Sequence, residues 1–380
     1  MLRIFFFLLG FSPWCLEAEV YEFSVEVGTS PDETVLVVGS AEELGAGDPL
    51  RAVMLAPQGE GRWGGKIELP AGTEGTYRFL RRKTGVEEFE DPANAVFLGK
   101  PQVLRGVERS KKAPVTWLEG TGKLEKPHDL DSPMEQFPGR KIRVWLPPGY
   151  ATGTERYPVV FCHDGQNIFD PGGPFGSWSA DKVAEEEMKA GRVRPAILVG
   201  IDNTLDRVRE YLPPSDVVPR GRPAEGEVGR ADVYARYVLE VVKPWVDQNF
   251  RTLADQGNTL VLGSSMGGVV SHYLLEKHGN VFRAAGVFSP AYWACPKFFE
   301  ESLKKPPLAG KIYLDMGTRE GRSYWPDVLR IYQHWVTGGS VILRDVWFQP
   351  GIRAEHNEKA WRERLPEALA FLLSPDGIAD

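Results

Sequence analysis

Cysteine is scarce in this chain, with three in 380 residues. Cys15 falls in an N-terminal apolar segment, so only Cys162 and Cys295 remain for a folded body, and two cysteines make no disulfide framework. Both sit in apolar surroundings and are expected as buried free thiols, with one bridge between them as the alternative. Histidine is thin as well, with six. No Cys/His cluster has metal-ligand spacing, and neither a metal nor a cofactor is expected. Charge of one sign never accumulates. The net charge of −7 is spread without large blocks, which argues against a nucleic-acid partner. No apolar run, the N-terminal one included, is long enough to span a membrane. There is no internal repeat and no low-complexity tract. What is present, 42% hydrophobic and 26% charged residues, is the balance of a globular chain with length for two or three domains.

Residues 1–18 read as an export signal. Arg3 precedes the apolar run Ile4 to Phe11, Ser12-Pro13 breaks it, and Leu16-Glu17-Ala18 resembles a small-residue cleavage site. This implies a secreted or periplasmic protein. An uncleaved anchor, or a lipid on Cys15, is the alternative, and the bulky Trp14 before Cys15 speaks against the lipid.

Residues 19–112 alternate apolar and polar side chains over 20–27, 34–38, 64–69 and 76–81, with Gly, Pro and Asp clusters between. Short alternating runs without a helical period predict a small immunoglobulin-like β-sandwich. Residues 113–139 are rich in Pro, Gly, Lys and Glu and are expected to be a connector, with one strand around 115–118. From 140 to 376 apolar runs alternate with amphipathic stretches. Strands are predicted at 141–146, 159–162, 196–201, 259–262, 284–288, 311–316 and 340–348. Helices are predicted at 180–190, 231–249 (kinked by Pro244), 267–278, 325–336 and 358–373. That order gives an α/β fold, a doubly wound and mostly parallel sheet that places ligands at the carboxyl ends of its strands.

Gly263-Ser264-Ser265-Met266-Gly267 lies between an apolar strand pattern and a helical one, the setting of a nucleophile elbow. The five residues alone also fit a Gly-rich turn without chemistry. A serine hydroxyl is a weak nucleophile and needs a base, with an acid to orient it. In the elbow's chain order both follow the serine. His272 lies about 10 Å further along the same helix and cannot reach back. His278 ends that helix, and His334 sits mid-helix beside Trp335. His356, in a loop between the last strand and last helix, is the candidate base. Glu320, in the turn after 311–316, is the candidate acid, with Asp327 as rival and Asp315 held within its strand. The amide of Met266 is one oxyanion donor, and Gly165 or Gln166, after the strand at 159–162, supplies the second. Asp164, Asn203, Arg207, Glu210, Trp178 and Trp293 are the candidate substrate-binding residues. Either tryptophan is equally explained by core packing, and Arg207 with Glu210 by a salt bridge fixing the loop.

Five segments now stand in order: His163-Asp-Gly-Gln-Asn-Ile-Phe-Asp170, Asp206-Arg-Val-Arg-Glu-Tyr-Leu-Pro213, Gly263-Ser-Ser-Met-Gly-Gly268, Phe288-Ser-Pro-Ala-Tyr-Trp293 and His356-Asn-Glu-Lys-Ala-Trp361. Together they resemble the putative-esterase family of α/β-hydrolases, which includes feruloyl and other carbohydrate esterases, siderophore esterases, esterase D and mycolyl transferases. The resemblance puts nucleophile, acid and base on Ser265, Glu320 and His356. Many members carry Asp where Glu320 stands. In the first domain, Val38-Gly-Ser-Ala-Glu-Glu-Leu-Gly45, Asp48-Pro49, Trp63, Tyr77-Arg-Phe79 and Glu90-Asp-Pro-Ala-Asn94 resemble starch-binding carbohydrate modules. That family stacks sugar on two tryptophans, at whose positions Gly47 and Phe89 stand here. The resemblances imply a secreted serine carboxylic ester hydrolase, acting on acetyl or feruloyl groups of a carbohydrate. With Gly47 and Phe89 at the stacking positions, the sandwich is read as a structural or partner-docking domain, with weak glycan binding as the alternative. A siderophore esterase is the alternative, transfer to a sugar acceptor a variant, and a non-catalytic glycan-binding protein on the same scaffold the remote reading.

Overall fold

Apolar runs without alternation form the middle of one large sheet. The computed structural model describes residues 18–30, 32–84, 89–104, 120–321 and 323–373. The expected export signal and the strand around 115–118 therefore lie outside the described residues, except for Ala18. Strands β1 (Ala18–Glu26), β2 (Glu33–Gly39), β3 (Val53–Met54), β4 (Ala56–Pro57), β5 (Arg62–Pro70), β6 (Gly75–Lys83) and β7 (Val96–Leu104) form the first domain. They pair antiparallel in two sheets, β1-β5-β4 and β3-β2-β6-β7. The four alternating runs correspond to β1, β2, β5 and β6. β7 had no clean alternation because Gly99 and Pro101 interrupt it.

The second domain contributes β8 (Lys123–Leu124), β9 (His128–Leu130), β10 (Arg140–Leu146), β11 (Val159–His163), β12 (Ile197–Ile201), β13 (Thr259–Ser264), β14 (Ala284–Phe288), β15 (Lys311–Gly317) and β16 (Val346–Gly351). Their order is β16-β15-β14-β13-β11-β12-β10-β8, with β9 also beside β10. From β12 across to β16 neighbours run parallel, while β10 is antiparallel to β12, β8 and β9. β8 and β9 come from the stretch expected to be a connector.

Helices α1 (Ala180–Lys189), α2 (Arg207–Tyr211), α3 (Ala231–Tyr237), α4 (Lys243–Asn249), α5 (Met266–Lys277), α6 (Pro296–Ser302), α7 (Trp325–Thr337) and α8 (Glu358–Leu372) complete the domain. Successive residues of β11 enter different cores. Val159 and Phe161 pack in a cluster with α3, α5 and α7 residues, and Val160 and Cys162 in one with α1 and α8 residues. A strand buried on both faces cannot alternate, which is why the pattern was a continuous apolar run. Cys162 and Cys295 are buried and free.

Two boundaries differ from expectation for physical reasons. The run at 231–249 is helical throughout, but one π turn (Val238–Val242) joins α3 to α4 just before Pro244. Widening the helix there accommodates a residue that has no N–H to give. The predicted strand 340–348 begins later, at Val346. Residues before it turn back on themselves, with Leu343 at φ 66° and the Val341 N–H donated to the Asp345 carboxylate at 2.9 Å.

That turn ties the domains together. The Ile342 N–H donates to Lys66 O (2.7 Å) and the Glu68 N–H donates to Ile342 O (3.0 Å), so β5 continues the hydrogen bonding of the large sheet. Gly65 permits the approach, since a Cβ there would lie 2.9 Å from Ile342 Cδ1. The buried Tyr332 hydroxyl of α7 donates to Met54 O at 2.6 Å, and Phe89 packs on Trp325 with ring centroids 5.5 Å apart. One apolar cluster runs through both domains. Among the described residues no helix is long and apolar enough to cross a membrane. Replacing Tyr332→Phe leaves the Met54 carbonyl buried without its donor, at a cost of about 1–2 kcal/mol. Urea denaturation checks this, and an unchanged midpoint would show that the seam does not depend on that bond.

Candidate active site

The geometry starts from glycine. An added Cβ on Gly263 would meet the Gly267 backbone at 2.8 Å, and one on Gly268 would meet Phe288 O at 2.9 Å. With both contacts open, β13 can turn into α5 within one residue. That residue is Ser265, at φ 59° and ψ −121°. A serine in this region stores about 1–3 kcal/mol of strain, and the surroundings hold it there. Its N–H donates to Phe288 O (2.9 Å), and its carbonyl accepts from Ala291 (3.2 Å) and Val269 (3.1 Å). Met266 is the first residue of α5, where helix amides have no intrahelical acceptor.

Ser265 lines a cleft of about 470 Å³ together with His356. His356 Nδ1 lies 2.7 Å from Glu320 Oε2, the geometry of an N–H donated to a carboxylate. Nε2 is thereby left as the ring nitrogen available to accept a proton. His356 is 44% exposed and Glu320 1%, so the base is open to the cleft and the acid sealed behind it. The other Glu320 oxygen accepts from the Ser289 hydroxyl and the Gly317 N–H, both at 2.7 Å. Ser289 in turn accepts from Trp361 Nε1 (2.9 Å) and Arg364 (3.1 Å), and Trp361 meets the His356 ring edge-on at 4.9 Å. The rival acids are occupied elsewhere. Asp315 is buried in β15 against Arg364 (2.7 Å), and Asp327 faces Arg330.

A second charged group borders the cleft. Arg207 donates two bonds to Asp164, at 2.6 and 2.7 Å, and Asn203 Nδ2 donates a third. Burial would raise the Asp164 carboxyl, but Arg207 and Asn203 outweigh it and hold it below its usual range. Beside it the His163 imidazole, hydrogen-bonded to Tyr234 and buried, is pushed down to about 3 and stays neutral.

Of the expected substrate contacts, Asp164, Asn203, Arg207, Trp178 and Trp293 border the cleft. Trp293 is 44% exposed, whereas Trp178 is buried edge-on against Phe288. Glu210 is a correction. It is buried in a two-bond pair with Arg140, at 3.1 and 3.2 Å, and does not line the cleft. Nor do Arg207 and Glu210 pair with each other, because each finds a better-aligned partner on a neighbouring segment. Gly165 packs against Gly200, and the Gln166 side chain accepts from the Asn203 N–H. Neither lines the cleft, although Asp164 and Asn167 on both sides of them do.

Residues 138–372 match the family described as Putative esterase. The chain belongs to this family. Residues 18–100 match the Starch binding domain family. A Bacillus subtilis protein, YbbA, is 24% identical over 189 residues, covering 48% of this chain and 70% of its own length. An endo-1,4-beta-xylanase/feruloyl esterase of Xylanibacter ruminicola is 23% identical over 286 residues, 68% of this chain and 34% of that protein. Among solved structures, a ferulic acid esterase superposes on 67% of this chain and 98% of its own with a TM-score of 0.51 at 14% identity. The enterobactin esterase of Shigella flexneri covers 94% of both chains with a TM-score of 0.53 at 16% identity. These likenesses are of fold. By family, the chain is a carboxylic ester hydrolase.

Sequence reasoning missed several members of the esterase cleft. Glu358 and Asn357 follow the base directly. The Asn357 side chain caps α8 by accepting from Ala360, and Glu358 accepts from Asn167 at 3.0 Å. An Asn before a helical pattern is a cap signal that could have marked this entry. Phe175 and Arg222 lie in Pro- and Gly-rich loops without periodicity, and no local signal pointed them at the cleft. Replacing Arg207→Gln strands the Asp164 charge and should destabilise the fold by roughly 2–3 kcal/mol at pH 7. A lowered folded-state value means this stabilisation is present above about pH 4 and is lost as pH falls through the folded value. Urea titrations at pH 7 and 3.5 should therefore show the gap between the two proteins narrowing in acid, and a gap independent of pH would remove Asp164 from the account.

Proposed function

We propose that the chain hydrolyses carboxylic esters through an acyl-enzyme on Ser265. The reading rests above all on one arrangement, a strained elbow serine sharing its cleft with a histidine held by a buried glutamate. Ser265 Oγ attacks the acyl carbon and its proton passes to His356 Nε2. Glu320 holds Nδ1–H and stabilises the imidazolium. The Met266 amide takes one bond of the tetrahedral oxyanion. His356 then returns the proton to the leaving alcohol, and water cleaves the acyl-enzyme by the reverse path.

The substrate in this reading is an acetyl or feruloyl group on a carbohydrate, met outside the cytoplasm if residues 1–18 act as the export signal they resemble. The exposed rings of Trp293 and Phe175 at the cleft suit a flat acyl group or a sugar face. The Xylanibacter relative is named for both xylan cleavage and feruloyl ester cleavage. A siderophore ester is the second reading, favoured by the fold match to the enterobactin esterase, which covers 94% of both chains.

Purified protein assayed on acetyl, feruloyl and catecholate esters discriminates the readings. Turnover of acetyl or feruloyl xylan above the catecholate ester is expected, and the opposite ranking would move the assignment to siderophores. Ser265→Ala and Glu320→Gln should each lower kcat on the order of a thousandfold or more. Full activity in either would sink the triad assignment. The sandwich is expected to add little starch affinity, since Gly47 has no side chain and Phe89 is buried at 1% exposure. Pull-down on insoluble starch checks this, and strong retention would show that other residues of the sandwich bind glycan.

A further inference from the structure

We propose that Glu90, a residue of the β-sandwich, is a positioning residue for the triad. Its carboxylate locks together the two loops that carry Glu320 and His356. The inference rests on the triad reading above and extends it across the domain seam.

The loops in question are the turn after β15, which holds Thr318, Arg319 and Glu320, and the segment after β16, which leads through Arg353 to His356. Backbone bonds lace them. The Thr318 N–H donates to Gly351 O (2.8 Å) and the Arg319 N–H to Ala354 O (3.0 Å). Gly317 makes room, since a Cβ there would lie 2.4 Å from Ala354 O. The buried Thr318 hydroxyl stands between the loops. It accepts from the Arg353 N–H at 2.7 Å and has a single proton to give. Two acceptors compete for it, Glu90 Oε1 at 2.5 Å and Gly351 O at 3.3 Å. The shorter, ionised acceptor wins, so Glu90 sets which way the hydroxyl turns.

The same carboxylate lies between two cations, one from each loop. Arg319 Nε is 3.6 Å from Oε1 and Arg353 Nε is 4.0 Å from Oε2. Both guanidinium groups are largely exposed, so each attraction is weak alone. Without the carboxylate, however, the two loops would present like charges to each other. The 2.7 Å bond between His356 and Glu320 spans these loops, so any parting of them lengthens it. Glu90 is itself anchored through its neighbour Phe89, which is buried on Trp325, and Trp325 Nε1 donates to Gly317 O at 3.1 Å. The triad's acid loop is thus held from the other domain at two adjacent points.

Three variants test this: Glu90→Ala, Glu90→Gln and Thr318→Val. In Glu90→Ala, kcat on p-nitrophenyl acetate should fall on the order of ten- to a hundredfold, because a small displacement of the base is costly. KM should stay within about twofold, because the cleft walls are untouched. Glu90→Gln keeps an acceptor for Thr318 and should recover much of the loss. Glu90→Ala combined with Thr318→Val should be no worse than the poorer single variant. Thermal melts confirm that each variant is folded at the assay temperature. A readout without substrate is the downfield proton resonance of His356 Nδ1–H, assigned by its loss in His356→Ala. It should shift or broaden in Glu90→Ala and return in Glu90→Gln. Folded Glu90→Ala with wild-type kcat and an unchanged resonance would overturn the proposal, and so would multiplicative losses in the double variant. If the wild-type chain turned over no ester, the resonance would still decide the role of Glu90, and the fault would lie with the hydrolase reading.

Discussion

Everything at the cleft depends on one strained residue. Ser265 can occupy φ 59° because Gly263 and Gly268 leave room for the chain to fold onto itself, and because β14 accepts its amide. The strain is local and small beside the burial that opposes its release. Ten residues of α5 are buried behind the serine, and β13 is buried over its whole length. Relaxing the turn would shift that helix against the sheet, so packing over a large area fixes the geometry of one side chain.

The base and acid depend on a different kind of support. Neither belongs to a regular element at the point where it acts, and loops carry little packing of their own. Glu320 is held by hydrogen bonds from Ser289, Gly317 and His356, and Ser289 by Trp361 and Arg364 of α8. Behind this shell stands the sandwich, joined by main-chain bonds at Ile342, by Tyr332 on Met54 and by Phe89 on Trp325. The ring at position 89 is turned inward and becomes part of the seam.

The charged residues follow the same economy of partners. Arg207 and Glu210 are one helical turn apart on α2, close enough to have paired. The structure gives Arg207 to Asp164 and Glu210 to Arg140, because two-bond contacts in buried surroundings outcompete a side-by-side helical pair. A charge pattern in sequence names the candidates for an ion pair without choosing among them.

The sequence alone was enough for what local chemistry and chain order decide. Continuous apolar runs mark strands buried on both faces, alternation marks a sandwich, and Gly263, Ser265 and Gly267 between a strand and a helix mark an elbow. Position after the elbow and in loops at strand ends makes His356 the candidate base and Glu320 the candidate acid with Asp327 as rival, and the structure brings Glu320 and His356 to 2.7 Å. Tertiary structure alone decided the rest. Glu210 faces away from the cleft and Glu358 toward it. The strand expected from 340 starts at 346 because residue 342 is taken by β5. Glu90 reaches Thr318 across 228 positions of chain. Each of these depends on which distant segment arrives as a neighbour, and hydrogen bonds over such separations leave no period or motif in the sequence to read.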